Sequence, residues 1–282
     1  MAEQIIYIEK YDTNDIKPVR DAEVWRYAGY KGIPSQDETE LLDLFKKVKA
    51  ETLPVLSYKV CYQRMELSWD GDRPALPFGQ ESKDFGSKGF VSKDLAKCIR
   101  GCHQIVLFAA TIGMGIDRLI LRNQRTEITK ALLMQALGAE RIEALCDTFC
   151  EKLAEEFGKD GLIMTPRFSP GYGDLPLDTQ KDFFRLLDCN RKIGIALNDS
   201  LLMTPSKSVT AIFGIRKLCP EERVNGVKNK NKMENGSRME NKNEMENKSG
   251  MEIRNIEEIH ENKCDRCNNT ACEFRQQEER KK

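Results

Sequence analysis

At 282 residues the chain is long enough to bury a sizeable core, as one large domain or two small ones. Its 45 Lys+Arg balance 45 Asp+Glu, so it carries no overall basic bias toward nucleic acid. No run approaches the ~18 apolar residues of a membrane span. Met1–Tyr7 lacks a basic region followed by a long apolar one, so neither membrane insertion nor export is expected and a cytoplasmic location is. In a reducing compartment the 10 cysteines read as free thiols or metal ligands, not as a disulfide framework.

In chain order, residues 1–12 alternate weakly and predict an opening strand. Ala22–Tyr30 is aromatic-rich and ends in a glycine break. Ser35 and Glu38 form a capping-box pattern ahead of Leu41, Leu42, Phe45 and Val48 at helical spacing, which predicts a helix to about Ala50 with Pro54 beyond it. Val55–Leu67 is rich in β-formers and places Tyr58, Val60 and Tyr62 on one face of a strand. Residues 69–92 are turn-rich, and Ser92 is placed to cap a short helix through Cys98. Cys98 and Cys102 have metal-ligand spacing, but buried thiols on a helix face are far commoner than ligands at that spacing. Ile105–Ala110 reads as a buried strand turning out at Thr111–Gly113.

Helical periodicity then runs from Ile116 to about Phe157, through Ile128, Leu132, Gln135, Ala139, Ile142, Cys146, Phe149 and Leu153. Gly138 marks a close packing contact or a kink, and Glu143 lies at the stripe's polar margin. Thr165–Pro176 follows, with three prolines and two glycines in twelve residues, incompatible with a helix interior or a central strand. Proline fixes its own φ and restricts the residue before it, so this is a shaped, rigid loop. Arg167 and Tyr172 on such a loop suit a small ligand bearing a carboxylate and a ring. An ordinary turn-rich connection has the same composition. Thr179–Asn190 predicts a helix, Met203–Pro205 a turn and Ser208–Ile215 a strand. Long helices mixed with strands in no βαβ order predict an α+β fold with a mixed, largely antiparallel sheet.

Residues 221–262 are rich in Asn, Lys and Glu and repeat Met-Glu-Asn irregularly. They predict a disordered linker, because so little apolar content cannot offset chain entropy. The domains are thus 1–220 globular, 221–262 linker and 263–282 a Cys-rich tail. In that tail Cys264, Cys267 and Cys272 are spaced to converge on one metal, with Cys219 or His260 available as a fourth ligand; a simple thiol-bearing tail has the same residues. Thiolates fit zinc or an iron–sulfur cluster equally.

Arg167-Phe168-Ser169-Pro170-Gly171-Tyr172, followed by Pro176, Thr179 and Lys181, resembles the signature of the activation domain of cobalamin-dependent methionine synthase. Ser200–Pro205 and Ser208-Val209 continue the resemblance, and Ala136–Leu153 is similar to the helix preceding the loop. The likeness is specific over residues 127–215, weaker over 20–126 and absent from the linker. It implies a free-standing activation protein serving a methionine synthase that lacks this domain, with a flavodoxin- or ferredoxin-type electron donor. The family's chemistry is recovery of oxidised cob(II)alamin by one electron and a methyl group from S-adenosylmethionine. In that reading Arg167 takes the ligand carboxylate, the backbone around Ser169 and Gly171 meets the adenine, Tyr172 lines the pocket beside the corrinoid, and Glu143 contacts the ammonium or ribose. No catalytic nucleophile or base is implied. An acidic family contact near the N-terminus and a tyrosine beyond the last strand have no assigned counterpart here. Two other readings are an electron-delivering module whose tail holds an iron–sulfur cluster, and a corrinoid-protein docking module without methyl-donor binding.

Overall fold

The computed structural model describes residues 5–35, 37–78 and 92–217. The expected linker, the Cys-rich tail and Cys219 lie outside the described residues. Within them the fold is α+β, built on a five-stranded sheet.

Strand β1 (Tyr7–Tyr11) is followed by helices α1 (Asp21–Tyr27) and α2 (Thr39–Thr52), strand β2 (Tyr58–Glu66) and a small hairpin, β3 (Ser68–Asp70) and β4 (Arg73–Ala75). Helix α3 (Lys93–Cys98), strand β5 (Gln104–Thr111), and helices α4 (Gly115–Asn123) and α5 (Ile128–Lys159) come next. The chain continues through β6 (Leu162–Met164), α6 (Gln180–Leu187), α7 (Cys189–Ile193), the short pair β7 (Ala196–Leu197) and β8 (Met203–Thr204), and β9 (Ser208–Lys217). The main sheet has the order β1-β2-β5-β9-β6, and every neighbouring pair in it is antiparallel. The expected mixed sheet is therefore antiparallel throughout.

Alternation along the strands feeds two cores. Tyr58, Val60, Val106, Phe108, Ala110, Ala211, Phe213 and Ile215 face the layer that contains Phe45, Val48, Ile116, Leu137, Cys146 and Phe149 of α2, α4 and α5. Cys61, Ile105, Leu107, Ala109 and Ile212 face the opposite way, against Leu95, Phe183, Leu187 and Cys189 of α3, α6 and α7. Burial of both faces explains why β5 reads as an unbroken apolar run, whereas β2 alternates in sequence. The face predicted for Tyr58, Val60 and Tyr62 is the one observed.

Several boundaries differ from the sequence expectation. Glu38 reaches back to the Ser35 backbone N–H (3.0 Å), but the turn this closes precedes the helix, which starts at Thr39. The single long periodicity from Ile116 is two helices. The Asn123 side chain donates to the Leu119 carbonyl (2.7 Å), and the Asn123 carbonyl takes the Thr126 and Glu127 N–H groups, closing α4. The buried stripe of α5 is as expected from Ile142 onward, but Ile128 and Leu132 are exposed, and Ala131, Leu133, Met134 and Leu137 are buried instead. The helix expected over 179–190 is interrupted at Asp188, where φ is +47°.

Gly138 is a close packing contact: an added Cβ would lie 2.5 Å from Ile116 Cδ1. At Gly115 it would lie 2.1 Å from the Val55 carbonyl oxygen. A side-chain methyl can rotate away, whereas a backbone carbonyl cannot. Gly115→Ala is therefore expected to lower stability by about 2–3 kcal/mol and Gly138→Ala by clearly less, since alanine also recovers helix propensity there. Urea midpoints of the two variants measure this, and equal losses would contradict the packing argument.

Candidate functional site

The Pro/Gly loop is held at both ends. After β6, Thr165 N–H donates to the Gly214 carbonyl (2.9 Å), and Gly214 N–H donates to Thr165 Oγ1 (2.8 Å). Phe168 then exchanges two 2.8 Å backbone bonds with Ile212 of β9. Residues 165–168 therefore continue along the sheet edge, but Met164 faces Ile215 and Phe168 faces Ile212, a one-residue shift that turns Phe168 against the core beneath the sheet and Arg167 toward α5. Beyond Phe168 the chain turns tightly. Tyr172 N–H donates to the Ser169 carbonyl (3.2 Å), and Gly171 N–H to that of Leu175 (2.9 Å), while Leu175 is buried in the lower core. Gly171 has φ +90°, a conformation that favours glycine.

Asp174 locks this turn to α3. Its carboxylate accepts from the Ser92 hydroxyl, from Lys93 N–H (2.8 Å) and from Asp94 N–H (3.2 Å), while Ser92 Oγ accepts from Leu95 N–H (2.9 Å). The short helix capped by Ser92 is thus as expected. Partial burial alone would raise the Asp174 carboxyl, but the bonds from Ser92 and the backbone outweigh it and hold the carboxyl below its ordinary value.

Arg167 enters a set of charges on α5. Its Nη2 donates to Asp147 Oδ1 (2.8 Å) and to Glu143 Oε2 (3.1 Å). The Arg167 side chain is 12 % exposed, that of Asp147 4 % and that of Glu143 34 %. Burial alone disfavours a charged guanidinium, but the surrounding Cys146, Glu143, Cys150 and Asp147 push its pKa above the ordinary arginine value. Burial pushes the Cys146 thiol up, so at neutral pH the carboxylates supply the negative charge. The ladder continues toward the N-terminus. Asp147 Oδ2 lies 3.9 Å from Arg20 Nη2, and Glu140 accepts from the Arg20 backbone (3.2 Å) and Nε (3.4 Å). Glu140 also takes two bonds from fully buried Arg141 (2.6 Å from Nε and 2.8 Å from Nη2), whose Nη1 donates to the Lys17 carbonyl and whose Nη2 donates also to that of Pro18.

The structure therefore brings together two of the predicted site residues, Arg167 and Glu143. Ser169 is half-buried and Gly171 exposed in the turn, and Tyr172 stands 62 % exposed at its outer edge. Cys219, Cys264, Cys267 and Cys272 lie outside the described residues. Among the described residues, no group of three His, Cys, Asp or Glu is placed to hold a metal. Cys98 instead donates to the Pro166 carbonyl (3.5 Å), and burial pushes the Cys102 thiol up to about 11. No helix among the described residues is long and apolar enough to cross a membrane. Sequence reasoning missed Arg20, Glu140, Arg141 and Asp147. The available signal was the spacing of Glu140, Glu143 and Asp147, three acids at i, i+3 and i+7 interrupting an apolar stripe.

Two outcomes follow from this geometry. Removing one partner of the buried Glu140–Arg141 pair leaves an uncompensated charge, so Glu140→Ala is expected to lower the unfolding free energy by about 3–5 kcal/mol in urea titrations with an unchanged slope. Asp174 has a depressed folded pKa, so its contribution is present above the unfolded carboxyl value of about 4 and is lost as pH falls through the folded value. Asp174→Asn should therefore flatten the rise in melting temperature between about pH 3 and pH 5; an unaltered rise would exclude Asp174 as its source.

No curated protein sequence matches this chain. A solved structure described as the MetH reactivation domain bound to AdoHcy is similar, with a TM-score of 0.52 and 17 % identity over 76 % of this chain and 79 % of that one. At that identity the likeness establishes the fold. The family model for the activation domain of vitamin B12 dependent methionine synthase matches residues 80–231, just over half the chain. That stretch carries α5, the Pro/Gly loop and β9, the three elements that assemble the Arg167 site, and the chain belongs to the family of vitamin B12 dependent methionine synthase activation domains.

Proposed function

We propose that the chain binds S-adenosylmethionine beside Arg167 and supports the reductive methylation that returns cob(II)alamin to methylcobalamin in a partner methionine synthase. The observation that carries this reading is the Arg167–Glu143 contact on a clamped loop. An amino-acid head group offers a carboxylate and an ammonium side by side. It can replace one arginine–glutamate pair by two, its carboxylate taking the guanidinium and its ammonium the Glu143 carboxylate. In the free protein the two side chains satisfy each other, so neither charge is left bare.

The residues fit the rest of the molecule. The turn of Ser169–Gly171 exposes backbone and little side chain, which lets a flat base approach closely. Tyr172 presents an exposed ring at the outer edge of the same turn, on the side open to a docking corrinoid protein. When bound, S-adenosylmethionine supplies the methyl group that passes to reduced cobalt, leaving S-adenosylhomocysteine. The electron comes from a flavodoxin- or ferredoxin-type donor. This chain's contribution is to hold the donor rigidly and in line, which requires no nucleophile or base of its own.

Calorimetry on the purified chain tests the reading. S-adenosylmethionine is expected to bind, Arg167→Ala to abolish measurable binding, and Glu143→Gln to weaken it about tenfold, the scale of one charge-assisted contact. Absence of binding at millimolar ligand, or full affinity in Arg167→Ala, overturns it.

A further inference from the structure

The ladder behind Arg167 has more members than a ligand site needs, and they are arranged in a definite order. Asp147 is almost wholly buried and has its two oxygens turned to two arginines. Oδ1 takes Arg167 at 2.8 Å, and Oδ2 lies 3.9 Å from Arg20. Arg20 comes from the segment between β1 and α1, which is tied along α5 at several points. Lys17 pairs with Glu151, its backbone N–H reaches Thr148 Oγ1 (3.5 Å), and Arg141 donates to the carbonyls of Lys17 and Pro18. Glu140 fixes Arg20 through both backbone and side chain. The strap is thus pinned to the helix by the protein's own contacts.

The hydrogen bonds of the Arg167 guanidinium to α5 converge on a single nitrogen, Nη2. Nη2 belongs to both forks of a guanidinium, so a planar anion would take Nε or Nη1 together with the Nη2 hydrogen that Glu143 gives up when its carboxylate turns to the ligand's ammonium. A guanidinium on a flexible stem would otherwise rotate, and ordering it would cost affinity at the moment of binding. We propose that Asp147 and Arg20 are positioning residues for the carboxylate-binding arginine: Asp147 fixes the plane and place of the Arg167 guanidinium, and Arg20 takes the second oxygen of Asp147, so that Asp147 does not neutralise Arg167. This rests on the methyl-donor reading given above for Arg167. It adds the strap between β1 and α1 to the machinery of that site.

The direction of the effect separates positioning from plain electrostatics. S-adenosylhomocysteine is a zwitterion whose carboxylate would face Arg167. Deleting a negative charge behind Arg167 should tighten its binding if only net charge mattered. Positioning predicts the reverse. Asp147→Leu, which keeps the branched heavy-atom skeleton and removes the acceptor, is expected to weaken S-adenosylhomocysteine binding at least tenfold. Asp147→Asn, which keeps an acceptor oxygen, should fall between that variant and wild type, and Arg20→Ala should lose several-fold.

A readout without ligand accompanies this. In nitrogen-15 spectra of the full chain, the Arg167 Nη signals, assigned through Arg167→Lys, are expected to show slowed rotation about the Nε–Cζ bond. They should collapse to fast exchange in Asp147→Leu while the backbone spectrum keeps its folded dispersion. Unchanged Arg167 signals in Asp147→Leu, or tighter S-adenosylhomocysteine binding by that variant, overturn the proposal. If wild type binds no S-adenosylhomocysteine, the methyl-donor reading fails, and the side-chain spectra still decide whether Asp147 positions Arg167.

Discussion

The acids on the inner side of α5 are the constraint on which the upper half of the molecule depends. Glu140 and Asp147 are taken out of water on a helix that also buries Leu137, Cys146 and Phe149 against the sheet. A buried carboxylate is tolerated only with counter-charges and hydrogen bonds in place. Arg141, Arg20 and Arg167 supply them from α5 itself, from the N-terminal strap and from the Pro/Gly loop. Two segments distant in sequence are thereby tied to one helix face, and the loop arginine gains its place as part of that settlement.

The sheet supplies the rigidity. β9 is paired with β5 along its length and with β6 at its C-terminal end, and the chain leaving β6 pairs with β9 again at Phe168, one residue out of the β6 register, as across a β-bulge. That shift, and not plain alternation from β6, turns Arg167 toward α5 and its neighbour Phe168 toward the lower core. Past Phe168, Asp174 ties the turn to the start of α3, on the opposite layer of the molecule. The loop is therefore braced from both faces of the sheet. A donor seated there would be offered outward, beside exposed Tyr172, in a fixed orientation.

Much of the fold was legible because it obeys short-range periodicity. Tyr58, Val60 and Tyr62 alternate, and Ile105–Ala110 is an unbroken apolar run. Ser92 caps the helix expected of it. The loop's shape followed from proline and glycine chemistry, and Arg167 from the family signature. Errors arose where local signals competed. Ile128 and Leu132 fit a helical stripe but face water, while Ala131, Leu133, Met134 and Leu137 take the buried side of the first turns of α5. Ser35 and Glu38 make their bond, yet in a turn one step before the helix.

The sequence by itself determined the class of fold, four of the five strands of the central sheet, the proline-shaped rigidity of the loop and the family to which its motif points. Each depends on residues within a few positions of one another, where sterics and hydrophobic period act directly. The tertiary structure decided which charges meet. Arg20, Asp147 and Arg167 are separated by 127 and 20 positions, and no local rule pairs them. Their contact depends on how α5 lies along the sheet and where the strap crosses it, which packing of the whole core sets.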